Sequence, residues 1–211
     1  MNQKIGERCV MKIYYEGTIL MDKVADNFDV TDLYLGFFLN HDLSPLNTMT
    51  QLRTLSLKNI TISELCSLSN LCNLQNLELD YLNVPNYYAL TYFKGLTTLK
   101  ITNSFSNDNI ESISHLTKLT SLDISDNLLK DISFLSTLSS LKKLIIKNNN
   151  IHNVNIIGTI HTLTYIDVSN NQIENIDVLK KLPLLIFFDF SNNNIINHSK
   201  NKNIKSICII M

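Results

Sequence analysis

From Leu119 onward the apolar residues fall at fixed intervals. Three consecutive stretches of 22 residues begin at Leu119 (LTSLDISDNLLKDISFLSTLSS), Leu141 (LKKLIIKNNNIHNVNIIGTIHT) and Leu163 (LTYIDVSNNQIENIDVLKKLPL). Each places apolar side chains at positions 1, 4, 6, 11, 14, 17 and 20, with Asn at position 9. In the first stretch these are Leu119, Leu122, Ile124, Leu129, Ile132, Leu135 and Leu138, with Asn127. Positions 4 and 6 alternate with polar neighbours, the period of a short strand buried on one face. Positions 11 to 20 recur every third residue, which predicts a tight 3₁₀ or helical return.

The frame extends to Leu185 in one direction and to Leu96, Leu74, Leu52 and Val30 in the other. Every step is 22 residues except Leu96 to Leu119, which is 23. The extra residue falls in SFSNDN, where a loop insertion costs little. A single unit cannot bury its own apolar faces, but stacked neighbours can. The predicted fold is therefore an α/β repeat solenoid, with a parallel sheet on a concave side and 3₁₀ or short helical turns on a convex side.

The pattern LxxLxLxxNxLxxLxxLxxLxx resembles the leucine-rich repeat family. It is similar to the 22-residue subclass of protein phosphatase 1 regulatory subunits and bacterial internalins. The resemblance implies a horseshoe, with the position-9 Asn turned inward to satisfy backbone groups at the bend. Asn127, Asn149, Asn171 and Asn193 supply that residue, whereas the earlier repeats carry Phe38, Ile60, Leu82 and Ser104. The first four repeats are thus expected to be less regular.

The chain divides into an N-terminal cap at 1–29, eight repeats over 30–197 and a basic tail over 198–211. Within the cap, VMKIYYEGTILMDK predicts two strands around Glu16-Gly17.

Strand residues at positions 3, 5, 7 and 8 point away from the core and form the candidate partner-binding face. Its notable side chains are Tyr34, Glu78, Lys100, Asp123, Asp167 and Asp189 at position 5. Lys143, Tyr165 and Phe187 stand at position 3, and Phe37 and Tyr81 at position 8. Asp167 and Asp189 are expected on neighbouring strands, about 4.8 Å apart. Two such carboxylates repel each other and favour a cation between them. With the flanking aromatics they resemble a protein-binding hot spot, although Asp and Ser are also common consensus residues in these strands.

Composition narrows the partner. The chain has 211 residues, a formal net charge of -1 and 18% charged residues. Lys and acidic residues interleave on the predicted face, and Arg occurs only at Arg8 and Arg53. This patchwork suits a specific protein rather than nucleic acid. No GxxxxGK[ST], HExxH or GxSxG motif is present, and the five histidines fall outside the strand positions. The expectation is a monomeric, non-catalytic scaffold without cofactor or metal.

The start of the chain shows no apolar signal core, so a cytoplasmic protein with reduced Cys66 and Cys72 is expected. The ending CIIM resembles a CaaX box that would receive a farnesyl group at Cys208. Lys200, Lys202 and Lys205 add a modest attraction to the cytosolic face of a membrane. In the competing reading, Ile204, Ile207, Ile209 and Ile210 fold back over the last repeat. The family resemblance also leaves two alternatives: a soluble phosphatase regulator and an internalin-like surface adhesin.

Overall fold

The computed structural model describes residues 2–5, 8–14, 30–38, 43–62, 64–82, 84, 86–104, 110–196 and 208–209. For 2–5, 8–14, 37–38 and 208–209 only the backbone is described. The chain falls into two compact units, Met1–Ser104 and Phe105–Met211. The boundary lies within SFSNDN, the segment that carries the extra residue of the repeat frame.

In the first unit, β1 (Asn2–Ile5) and β2 (Arg8–Tyr14) pair antiparallel, from Asn2↔Met11 to Ile5↔Arg8. The turn expected at Glu16-Gly17 lies outside the described residues. Strand β2 runs parallel to β3 (Asp32–Phe38), followed by β4 (Thr54–Ile60), β5 (Asn76–Asp80) and β6 (Thr98–Thr102). The second unit holds β7 (Ser121–Asp123), β8 (Lys143–Ile145), β9 (Tyr165–Asp167) and β10 (Phe187–Asp189), all parallel. A two-residue strand, β11 (Cys208–Ile209), pairs antiparallel with β10, matching Phe188 to Cys208.

Each strand from β3 to β10 begins at position 3 of its repeat. Register is kept because slipping one residue would turn the apolar set outward. In the second unit Leu122, Ile124, Leu144, Ile146, Ile166 and Val168 are fully buried. The return segments are 3₁₀ turns, such as Ser133–Thr137, Asn155–Thr159 and Asp177–Lys181. Their position-17 residues, Leu135, Ile157 and Leu179, point into the core. An Asx side chain at position 13 opens four of these turns by accepting the N–H two residues on: Asn86, Asp131, Asn153 and Asn175.

The position-9 asparagines link adjacent repeats. Asn171 Nδ2 donates to the carbonyls of Ile146, Val168 and Ser169, while its Oδ1 accepts the Ile151 N–H. Asn149 makes the equivalent bonds one repeat earlier, to Ile124, Ile146 and Lys147, and accepts from Leu129.

The first unit closes its bends differently, as the missing asparagines implied. Strands β3 and β4 continue through position 9, so ladder bonds replace side-chain bonds there. Farther on, the Ser104 hydroxyl donates to Thr102 O and accepts the Leu82 N–H. The buried Tyr87 hydroxyl donates toward Leu82 O and Ser104 O, at 3.3 and 3.2 Å. Burial pushes the Tyr87 phenol up to about 12, partly offset by its contact with Ser104.

Candidate functional site

The strand register gathers the outward side chains of each unit into rows. In the first unit the position-5 row reads Tyr34, Ser56, Glu78, Lys100. Glu78 is its hub. Its carboxylate accepts Lys58 and Lys100, each at 2.9 Å, and the Ser56 hydroxyl at 3.0 Å. Burial pushes the Glu78 carboxyl up, but the bonds from Lys58, Lys100 and Ser56 outweigh it and hold it below its ordinary value. Beside it, Asp80 accepts from Thr102 and Asn103. Glu78 is therefore neutralised within the chain, while Asp80 is held by neutral donors.

At position 8 the backbone is left-handed in seven repeats: Asn59, Tyr81, Asn103, Asp126, Asn148, Asn170 and Asn192. Asn and Asp tolerate that conformation, whereas a ring-bearing side chain does so at a cost. Tyr81 (φ 51°) is the aromatic exception, and the residue is 57% exposed. The other position-8 aromatic, Phe37, has a side chain outside the described residues.

In the second unit the position-3 row reads Ser121, Lys143, Tyr165, Phe187, and the position-5 row Asp123, Ile145, Asp167, Asp189. The Tyr165 and Phe187 rings stack 4.3 Å apart at 9°. The Lys143 ammonium lies 4.9 Å from the Tyr165 centroid, a cation–π contact. Each aspartate engages the serine two residues on. Asp167 Oδ1 accepts Ser169 N–H and Oγ at 3.0 and 2.6 Å, Asp189 Oδ1 accepts Ser191 N–H at 2.9 Å, and Asp123 binds Ser125 likewise. Among the described residues no Lys or Arg forms an ion pair with these three aspartates. Their field reaches Tyr165, whose phenol is pushed up first by burial and then by Asp167, Asp189 and Asp123.

Thus Asp123, Lys143, Tyr165, Asp167, Phe187 and Asp189 share one face of the second unit. Tyr34, Glu78, Tyr81 and Lys100 belong to the first. Sequence reasoning missed the central position of Glu78, although its neighbours Lys58 and Lys100 stand at the register positions that would have shown it. Among the described residues no group of three or more His, Cys, Asp or Glu is arranged to hold a metal.

No model of a known protein family matches the chain. Among solved structures, it is similar to an internalin (inlF) of Listeria monocytogenes, with 27% identity and a TM-score of 0.71 over 82% of this chain and 57% of that one. Internalin C2 of the same organism aligns at 30% identity and a TM-score of 0.60, over 67% of this chain and 62% of that one. A leucine-rich repeat protein of Leptospira interrogans aligns at 18% identity and a TM-score of 0.66, over 84% and 53%. The chain has the leucine-rich repeat fold. It spans less than two-thirds of the length of each of these three proteins.

Proposed function

We propose that this leucine-rich repeat chain is a non-catalytic scaffold that binds a protein partner on the outward face of its strands. The observation that carries this reading is the stacked Tyr165–Phe187 pair, half-exposed on a sheet face beside unpaired carboxylates. Rigid aromatics bordered by charge are the usual anchors of protein interfaces. A photo-crosslinking residue at Tyr165 or Tyr81, introduced in the native host cell, tests it. Adducts with a discrete protein are expected there and not from Asp177 on the return turn. Equal labelling from all three positions would remove the reading.

The tail supports a second proposal, farnesylation of Cys208 and tethering to the cytosolic face of a membrane. The CIIM ending and the nearby lysines favour it. It requires Cys208 to leave its pairing with Phe188 in β10. Intact mass from a eukaryotic cell, beside Cys208→Ser, decides the matter. Loss of Ile-Ile-Met with gain of a farnesyl group supports the tether, and an unmodified mass leaves β11 as an edge strand. The likeness to internalins supports a third placement, as a surface-exposed adhesin. Protease shaving of intact cells would release the protein in that case and spare it otherwise.

A further inference from the structure

The position-5 carboxylates of the two units are engaged in opposite ways. In the first, Glu78 already holds two lysines, whereas Asp80 at position 7 accepts only the neutral Thr102 and Asn103, both at Oδ1. In the second, each aspartate uses one oxygen, Oδ1, on its serine, and no bond from the described residues reaches Oδ2. Lys143 stands over the Tyr165 ring and forms no ion pair with them. The described residues therefore place one cation on the aromatic row and none in an ion pair with the carboxylate row beside it.

We propose that the face formed by Tyr165, Asp167, Phe187 and Asp189 receives an arginine side chain of the protein partner. This inference rests on the strand-face reading and names the chemistry that face selects. Asp167 and Asp189 are direct register partners, as are Tyr165 and Phe187, so two carboxylates lie parallel to two stacked rings. Neighbouring strands lie about 4.8 Å apart at the backbone, and two residues along a strand separate the rows by about 7 Å. A guanidinium is a planar fork that can donate to two carboxylates at once, and its apolar stem packs along aromatic edges. A lysine ammonium is a strongly hydrated point charge and makes less of both rows.

N-acetyl-arginine amide titrated into the full chain, with the ring protons of Tyr165 and Phe187 followed by NMR, tests the assignment. N-acetyl-lysine amide and the neutral N-acetyl-citrulline amide serve as controls. Saturable ring shifts are expected with arginine, with a Kd on the order of millimolar for one side chain. Lysine should respond at least fivefold more weakly, and citrulline not at all. Asp167→Asn/Asp189→Asn keeps an Oδ1 acceptor for each serine while removing both charges, and should abolish the shifts. Should that pair fail to fold, Asp189→Asn alone carries the test, with Asp177→Asn as the charge control. Absent arginine shifts, an equal response to lysine or citrulline, or an unchanged titration in the folded variant would overturn the proposal. A crosslinked partner whose binding ignores Asp167→Asn/Asp189→Asn leaves the strand-face reading standing and removes this one alone.

Discussion

The Tyr87 hydroxyl lies 3.2 Å from the main-chain oxygen of Ser104, across 17 residues of sequence. This contact, with the Leu82 carbonyl at 3.3 Å, does at the third and fourth repeats what asparagine does later in the chain. Tyr87→Phe removes one hydroxyl and leaves its two carbonyl acceptors buried without that donor. The expected loss is about 1–2 kcal/mol, seen as a lower urea midpoint with an unchanged slope.

The same phenol makes a pH prediction. Its pKa rises from 10.0 to about 12 on folding, so the neutral form is the one the fold favours. Stability from this group is fully present below pH 10 and is lost as pH climbs through 12. Urea midpoints between those limits should fall more steeply for the native chain than for Tyr87→Phe. Parallel curves would show that Tyr87 does not carry the alkaline sensitivity.

Asn171 is the strongest test of the asparagine ladder. Asn171→Ala leaves the buried Ile151 N–H without its acceptor, while Ile146 O keeps Asn149, Val168 O keeps Asn193 and Ser169 O keeps the Asn148 N–H. The expected cost is about 1–3 kcal/mol, set mainly by that one orphaned buried donor. Asn171→Asp should not rescue it, since a carboxylate can accept from Ile151 but meets three carbonyl oxygens. Thermal midpoints of the two variants check both statements.

Much of this architecture was legible in the sequence because it repeats. The apolar positions of three identical-length stretches place Leu122, Leu144 and Ile166 at the same point of successive strands, and the structure keeps that register. The asparagine ladder was legible for the same reason. Tyr87 was not, because at position 14 it reads as another apolar core residue and its hydroxyl finds partners 5 and 17 residues away. The left-handed backbone at position 8 left a trace in the run of Asn and Asp there, although that position read only as an outward side chain. The candidate face was legible as rows, but its electrostatics were not. Whether a carboxylate is paired depends on which lysine reaches it, and Lys143 goes to a ring while Lys100 goes to Glu78.

Glu78→Gln isolates that pairing. The pair members are partly exposed, so the loss at neutral pH is expected below about 1 kcal/mol. Because the folded carboxyl lies below the ordinary 4.5, its contribution is present above that value and disappears as pH falls through the folded pKa. The native chain and Glu78→Gln should therefore converge in stability under acid. A difference that persists unchanged at low pH would point to packing instead of charge.

Gly158 tests the packing of the return turns. A Cβ built there would lie 2.1 Å from Val178 Cγ2 and 3.3 Å from Val178 O in the next repeat. Rotating Val178 relieves the first contact but not the second, which is backbone. Gly158→Ala is expected to cost roughly 1–3 kcal/mol by overpacking, and Gly158→Ala/Val178→Ala should recover part of it. Thermal unfolding of the single and double variants measures the recovery.

Tyr81 separates stability from binding. Its left-handed backbone suits the Asn or Asp found at the same position in six other repeats. Tyr81→Asn removes a strained, 57% exposed aromatic and is expected to stabilise the chain by about 1 kcal/mol. If the ring is retained for contact with a partner, that gain in thermal midpoint should come with weaker binding. A variant that is more stable and binds equally well would make Tyr81 a tolerated irregularity, and the first unit's strand face would lose its most exposed described aromatic candidate.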